Sequence, residues 1–184
     1  MTALVPHPST PTGAFGVAAA VERSGRGALR FAYRLVGSLA RVRVPAASPS
    51  RRADRLWEHT CFEAFVGVAG APAYVELNFA PSGAWALYRF DRYREGAPLV
   101  PDEVAPRIVV ARGPEHLDLE ATVALDAGPP AYGTTALCIG LTAVVETTDG
   151  RLSYWALRHP SAMPDFHHAD GFAVRLAACE ERAS

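Results

Sequence analysis

Turn-forming clusters recur about every 8–12 residues along this chain, and that spacing limits what it can fold into. The segments between them are β-branched, aromatic or aliphatic, and too short for most helices. Strands are predicted over Ala14–Glu22, Ala28–Val36, Ala40–Val44, Thr60–Val68, Ala73–Phe79 and Ala84–Asp91. Further strands are predicted over Arg107–Arg112, His116–Leu125, Leu137–Glu146, Leu152–Leu157 and Phe172–Ala177. Two of them show strict alternation. In "ALRFAYRLV", Leu29, Phe31, Tyr33 and Leu35 share one face and Arg30 and Arg34 the other. In "HLDLEATVAL", Leu117, Leu119, Ala121, Val123 and Leu125 alternate with polar residues. A 3.6-residue period is weak and confined to Ala18–Arg23 and Ala173–Arg182. So many short strands in one chain imply an all-β domain of two packed antiparallel sheets, a β-sandwich. That domain is expected over residues 14–184, behind a flexible, Pro/Ser/Thr-rich leader over residues 1–13.

The 184 residues suit one domain with a real core. Formal net charge is −1, so no overall basic field is available to hold nucleic acid or an anionic membrane. No apolar run is long enough to span a bilayer, and the N-terminus lacks the basic and apolar regions of a signal peptide. A cytoplasmic protein is the expectation. Three distant cysteines, Cys61, Cys138 and Cys179, have neither zinc-type spacing nor an even count for a disulfide framework.

The chemistry concentrates in two stretches. In "TCFEAFVGV", Cys61, Glu63 and Phe65 point one way, and Phe62, Ala64 and Val66 the other. Both faces carry a phenylalanine, so Glu63 risks burial, and a buried carboxyl needs partners or a raised pKa. In "YVELNF", Glu76 and Asn78 share a face, and in "WALYRFD" Trp85 and Arg89 share one. A meander of these strands offers Glu63, Glu76, Asn78, Trp85 and Arg89 as one polar surface with an aromatic component. Carboxylate, amide and guanidinium groups suit sugar hydroxyls, and a flat ring suits the apolar face of a pyranose. Trp57, at the mouth of the first strand, and Trp155, on a late strand, are candidate platforms. The same residue types also describe ordinary cross-strand ion pairs on a solvated sheet face.

The second stretch, "RHPSAMPDFHHADGF", is a loop by its prolines and glycine. His159, His167 and His168 lack the spacing of a metal site, so no metal is expected. Phe166 is expected to pack inward, one histidine to bond the backbone, and Asp165 to cap a turn. No cofactor is expected. Haem is an alternative, with His159, Met163 or His167 as axial ligands in a slot between the sheets; covalent attachment would need CxxCH, which is missing. No nucleophile elbow, phosphate loop, dinucleotide fingerprint or HExxH is present. Glu63 and Glu76 leave a glycosidase-like pair open, although any β-protein with two strand glutamates would match that description.

The stretches "LWEHTCFEAFV", "AYVELNFAPSGAWALYRFDRYREG" and "YWALRHPSAMPDFHH" together resemble the DOMON-like proteins of bacteria, which are related to the family 9 carbohydrate-binding modules. The resemblance implies a sandwich of jelly-roll type and a ligand-binding role, for sugars in the modules and for haem or sugar in DOMON domains. In the modules a tryptophan followed six residues later by a glutamate supplies a stacking ring and a hydroxyl-binding carboxylate. Trp57 and Glu63 have that spacing. The resemblance matches Trp155 to a second platform and Arg89, Glu76 and Asn78 to assisting groups. The expected function is therefore non-catalytic binding of a saccharide or sugar-like ligand. A haem-binding domain and an interaction domain without a small ligand are the alternatives.

Overall fold

The structure is a computed structural model that describes residues 1–10, 15–25, 27–99, 104–125, 132 and 134–178. Two antiparallel sheets pack face to face. The first has the order β1 (Thr2–Ala3), β3 (Gly16–Arg23), β4 (Ala28–Val36), β11 (His116–Ala124), β10 (Arg107–Arg112). The second runs β2 (Val5–Pro6), β13 (Leu152–Ala156), β12 (Leu137–Glu146), β6 (Cys61–Val68), β7 (Tyr74–Phe79), β8 (Ala84–Arg92), β5 (Arg51–Arg52). In addition, β9 (Glu95–Leu99) pairs with β8, and β14 (Val174–Leu176) with β12. The β5–β8 pair is parallel and the other pairs are antiparallel. This is the predicted all-β sandwich of jelly-roll type.

The two sheets bury themselves differently. In β4 and β11 every second residue is buried and the intervening ones lie further out, as a sheet with one wet face requires. In β6 and β7 nearly every residue is buried. One face of β6–β8 packs on the opposite sheet through Phe62, Phe79 and Leu77, and the other is covered by loops. Rings interlock between the layers: Tyr33 stacks on Phe62 at 5.0 Å and Phe31 lies 5.6 Å from Phe79. Each such side chain contributes about 1.5–3 kcal/mol by leaving water.

The paired strands depart from the sequence reading at several points. Residues 1–10 of the expected leader are anchored: β1 pairs with β3, β2 with β13, and Leu4 is buried between the sheets. Backbone hydrogen bonds from Leu4 to Val17 and from His7 to Tyr154 hold this strap. Burial of Leu4 outweighs the local disorder that a Pro-rich composition favours. Residues 11–13 of that leader, residue 14 of the first predicted strand and Cys179 lie outside the described residues. The predicted strand Ala40–Val44 is a 3-10 turn, Leu39–Arg41, followed by a single bridge from Val42 to Thr147.

Trp85 and Trp155 are buried in the core between the sheets, at 4% and 3% exposure. Trp155 donates its indole N–H to Ser153 at 2.9 Å. The reason is register. Directly opposed residues share a face, and Glu76 stands opposite Tyr88, with Asn78 opposite Ala86. Trp85 and Arg89 therefore belong to the other face, and Arg89 is exposed there, opposite Val75.

Candidate functional site

On the outer face of the nine-stranded sheet, away from the sandwich core, lies a cavity of about 520 Å³. That volume is in the range of small-molecule sites. Its floor comes from three neighbouring strands: Glu63 and Phe65 on β6, Glu76 on β7, and Tyr88 and Phe90 on β8. The register brings them together, since Phe65 stands opposite Glu76 and Glu76 opposite Tyr88.

Trp57 forms one side of the mouth. It sits in a 3-10 turn, Leu56–Glu58, and meets Tyr88 edge-on at 5.5 Å. It is 39% exposed. The turn is fixed on both sides. Asp54 accepts the Tyr88 hydroxyl at 3.2 Å, and His59 bonds to the buried Glu146 at 2.8 Å. Asp54 thus ties the turn to the floor. Arg55 enters the turn with φ of 60° and donates its Nε to Glu58 at 2.9 Å.

The opposite wall is the histidine-bearing loop. It leaves β13, arches over the outer face and returns as β14 on the same edge of β12. Phe166 packs against Phe65 and Tyr154. Phe172 stacks on Phe65 at 5.8 Å, in space that Gly140 leaves open: a Cβ there would meet the Phe172 ring at 3.0 Å. Asp165 accepts from the Tyr93 hydroxyl, from Arg94 and from the backbone of His167. It therefore ties the loop to the β8–β9 turn, where Arg94 has φ of 54°. Arg55 and Arg94 are the non-glycine residues with left-handed backbone among those described, and both flank this cavity. Such strain persists where surrounding structure enforces it, commonly at ligand sites.

The three histidines go separate ways. His159 bonds the Val5 carbonyl at 2.9 Å, and the ring of His168 accepts from the Asp170 backbone. His167 reaches the cavity. The Tyr74 hydroxyl accepts the Arg94 backbone N–H at 3.1 Å, so its own proton is free for Nδ1 of His167, 2.9 Å away. The neutral ring then carries its proton on Nε2, which faces Glu76 at 3.6 Å. Burial, reinforced by the charge of Arg94, pushes the His167 pKa down to about 4, so at neutral pH this contact is not an ion pair. Met163 is exposed to solvent at 72%, and His159 is engaged at the β2 edge. The space between the sheets is filled by side chains such as Tyr33, Phe31 and Phe62. The proposed axial residues therefore do not converge on a slot there.

The carboxyls are the chemical centre. Glu63 is 2% exposed. Its Oε2 receives only a long contact from Thr142, 3.4 Å, and its Oε1 has no hydrogen-bond partner among the described residues. Glu76 accepts the Asn78 amide at 2.7 Å on Oε1. Asn78 is fully buried and lies behind the cavity, where the Cys61 thiol approaches its Oδ1 at 3.5 Å. Burial raises both carboxyl pKa values, and the charge of Glu76 raises that of Glu63 further. Two carboxylates this near in a low-dielectric site do not readily ionise together.

Of the seven predicted site residues, Trp57, Glu63 and Glu76 line the cavity, Asn78 supports it, and Trp85, Arg89 and Trp155 lie on the other face. Tyr88, Phe90, Arg94, Phe166 and His167 are among the other lining residues. Of these, Phe166 entered the sequence reading as an inward-packing ring and His167 as a haem ligand. Aromatic residues on both faces of "WALYRF" were the available signal for Tyr88 and Phe90.

Fold and cavity together define an antiparallel β-sandwich with a ligand-sized cup on one outer sheet face. No protein-family model matches this chain, and no curated protein matches it. Among solved structures, a protein of Bacteroides uniformis provisionally named carbohydrate-binding superposes with a TM-score of 0.69. It is 18% identical, over 92% of this chain and 82% of that one, a likeness of fold. Looser likenesses are to a family 9 carbohydrate-binding module of Caldicellulosiruptor kristjanssonii. With cellotriose its TM-score is 0.49 at 13% identity, over 80% of this chain and 67% of that one. With glucose it is 0.47 at 12%, over 84% and 74%.

Proposed function

We propose that this chain is a non-catalytic binding module for a saccharide or sugar-like ligand, held in the cup between Trp57 and the histidine-bearing loop. One observation carries the reading. A half-exposed tryptophan stands at the mouth of a cavity whose floor holds a buried carboxyl with an unmet oxygen, Glu63 Oε1. A flat ring at the rim and directional polar groups at the floor match the two chemistries of a pyranose, an apolar ring face and a belt of hydroxyls. Trp57 stacks; Glu63, Glu76 and the His167 N–H hydrogen-bond. The fold likeness to the Bacteroides protein supports the reading, and so do the DOMON-like motifs of the sequence.

Binding is favoured over hydrolysis by direction of approach. Glu63 and Glu76 project from adjacent strands of one sheet, and both reach a ligand from the same side. The paired carboxyls of a glycosidase flank the scissile bond. The test is titration calorimetry of the purified chain with mono- and disaccharides, repeated on Trp57→Ala. Saturable binding lost in the variant is the expected result. Binding of every sugar unchanged in Trp57→Ala would refute the platform.

A further inference from the structure

The floor of the cup carries two carboxyls with largely unpaired oxygens and, among the described residues of its lining, no unpaired cation. Glu63 Oε1 has no partner among the described residues, Glu63 Oε2 has one long contact, and Glu76 Oε2 has only the His167 ring at 3.6 Å. The basic groups nearby are already engaged. Arg94 is paired with Asp165 at 3.0 Å, and Arg55 with Glu58. Glu63 and Glu76 are diagonal neighbours across β6–β7, a spacing of about 7 Å between their backbone positions. A hydroxyl supplies one donor and brings acceptors with it. An ammonium supplies three donors, a positive charge and no acceptor. The surrounding rings of Trp57, Phe65, Tyr88 and Phe90 favour a cation over a second anion.

We infer that the ligand bears a free, protonated amine seated between Glu63 and Glu76, which makes it an amino sugar rather than a neutral one. The inference deepens the saccharide reading and rests on it for the ring. The ammonium enters intact, and Glu63 passes its proton to solvent as it becomes the ligand's counter-ion. The groups that act on Glu63 are Glu76 on β7, Thr142 on β12, Cys61 on its own strand and Tyr33 on the opposite sheet, and His167, Arg94, Tyr88 and Glu58 line the same cavity. None of them supplies an unpaired cation at neutral pH.

The experiment is calorimetry of the full chain at about pH 6, where an amine of this kind is protonated, with glucosamine, glucose, N-acetylglucosamine and cyclohexylamine. Glucosamine is expected to bind at least about tenfold more tightly than glucose or N-acetylglucosamine, as a charge-assisted contact allows. In Glu63→Gln that preference is expected to disappear. Equal or tighter binding of glucose overturns the amine and leaves the saccharide reading standing. Binding of cyclohexylamine with none of the sugars overturns the saccharide reading and keeps the amine. Silence with all four overturns both. The comparison of ligands on the unaltered chain decides these outcomes even where the variant does not fold.

Discussion

Tyr33, on the five-stranded sheet, donates its buried hydroxyl to the main-chain carbonyl of Glu63, 2.7 Å away on the opposite sheet. The bond crosses the whole core and ends at the residue that carries the cavity's unmet oxygen. Tyr33 is fully buried, and burial raises its pKa, with the carboxyl of Glu63 adding to the effect. Tyr33→Phe keeps the ring and strips the donor from a buried carbonyl. A loss of about 1–3 kcal/mol in urea denaturation is expected. Under the proposed binding role, ligand affinity is expected to fall too.

The three tryptophans separate by role. Trp155→Ala or Trp85→Ala opens a core cavity and costs about 3–5 kcal/mol of stability. Trp57→Ala, at a 39% exposed site, is expected to cost little stability and to abolish the proposed stacking. Thermal denaturation alongside sugar titration distinguishes the two patterns. A core-sized stability loss in Trp57→Ala would place that ring in the packing rather than at the mouth.

Glu63 makes the fold less stable as pH rises above the ordinary carboxylate range. Its pKa is raised in the native state, chiefly by burial. Between the ordinary carboxylate range and that raised value, the unfolded chain is ionised while the folded chain keeps its proton. Stability from this group is complete below the ordinary range and is lost as pH rises. Glu63→Gln removes the dependence. The variant is expected to match or exceed the original at neutral pH, with the difference widening from acid towards neutral in pH-resolved urea curves.

His167 acts in the opposite direction. Its pKa falls to about 4 from an ordinary value of 6.5, so the native state favours the neutral ring. Stability from this group is complete above the ordinary value and is lost as pH falls towards 4. Integrated over that interval, the loss is at most about 3 kcal/mol. In His167→Gln the acid-side decline over that window is expected to flatten. An unchanged decline would mean that other groups carry it.

How far the sequence could be read depended on what covers each face. β4 and β11 have one wet face, so their alternation exposed the sandwich at once. β6 and β7 are covered on both faces, and alternation vanishes there. Glu63 and Glu76 were still legible, because a carboxyl inside an apolar run is conspicuous. The face of β8 was not, since it depends on a register set by the turn over residues 80–83. One residue of offset exchanges Trp85 and Arg89 for Tyr88 and Phe90. β1, β2 and β5 are two-residue strands, too short for any period. The roof of the cup follows from contacts with distant strands, which local pattern does not encode.

The roof loop begins and ends on one edge of β12, through β13 and β14. Residues added or removed between them would leave strand registers and inter-sheet packing untouched, because no pairing is routed through the segment. The length of the roof can therefore vary without moving the strands, provided that its contacts to Phe65, Tyr74 and Arg94 are kept or remade. A population of such chains could exchange one roof for another and shift its choice of ligand while the underlying sheets stayed constant. For the same reason the loop is a natural place to graft a new specificity.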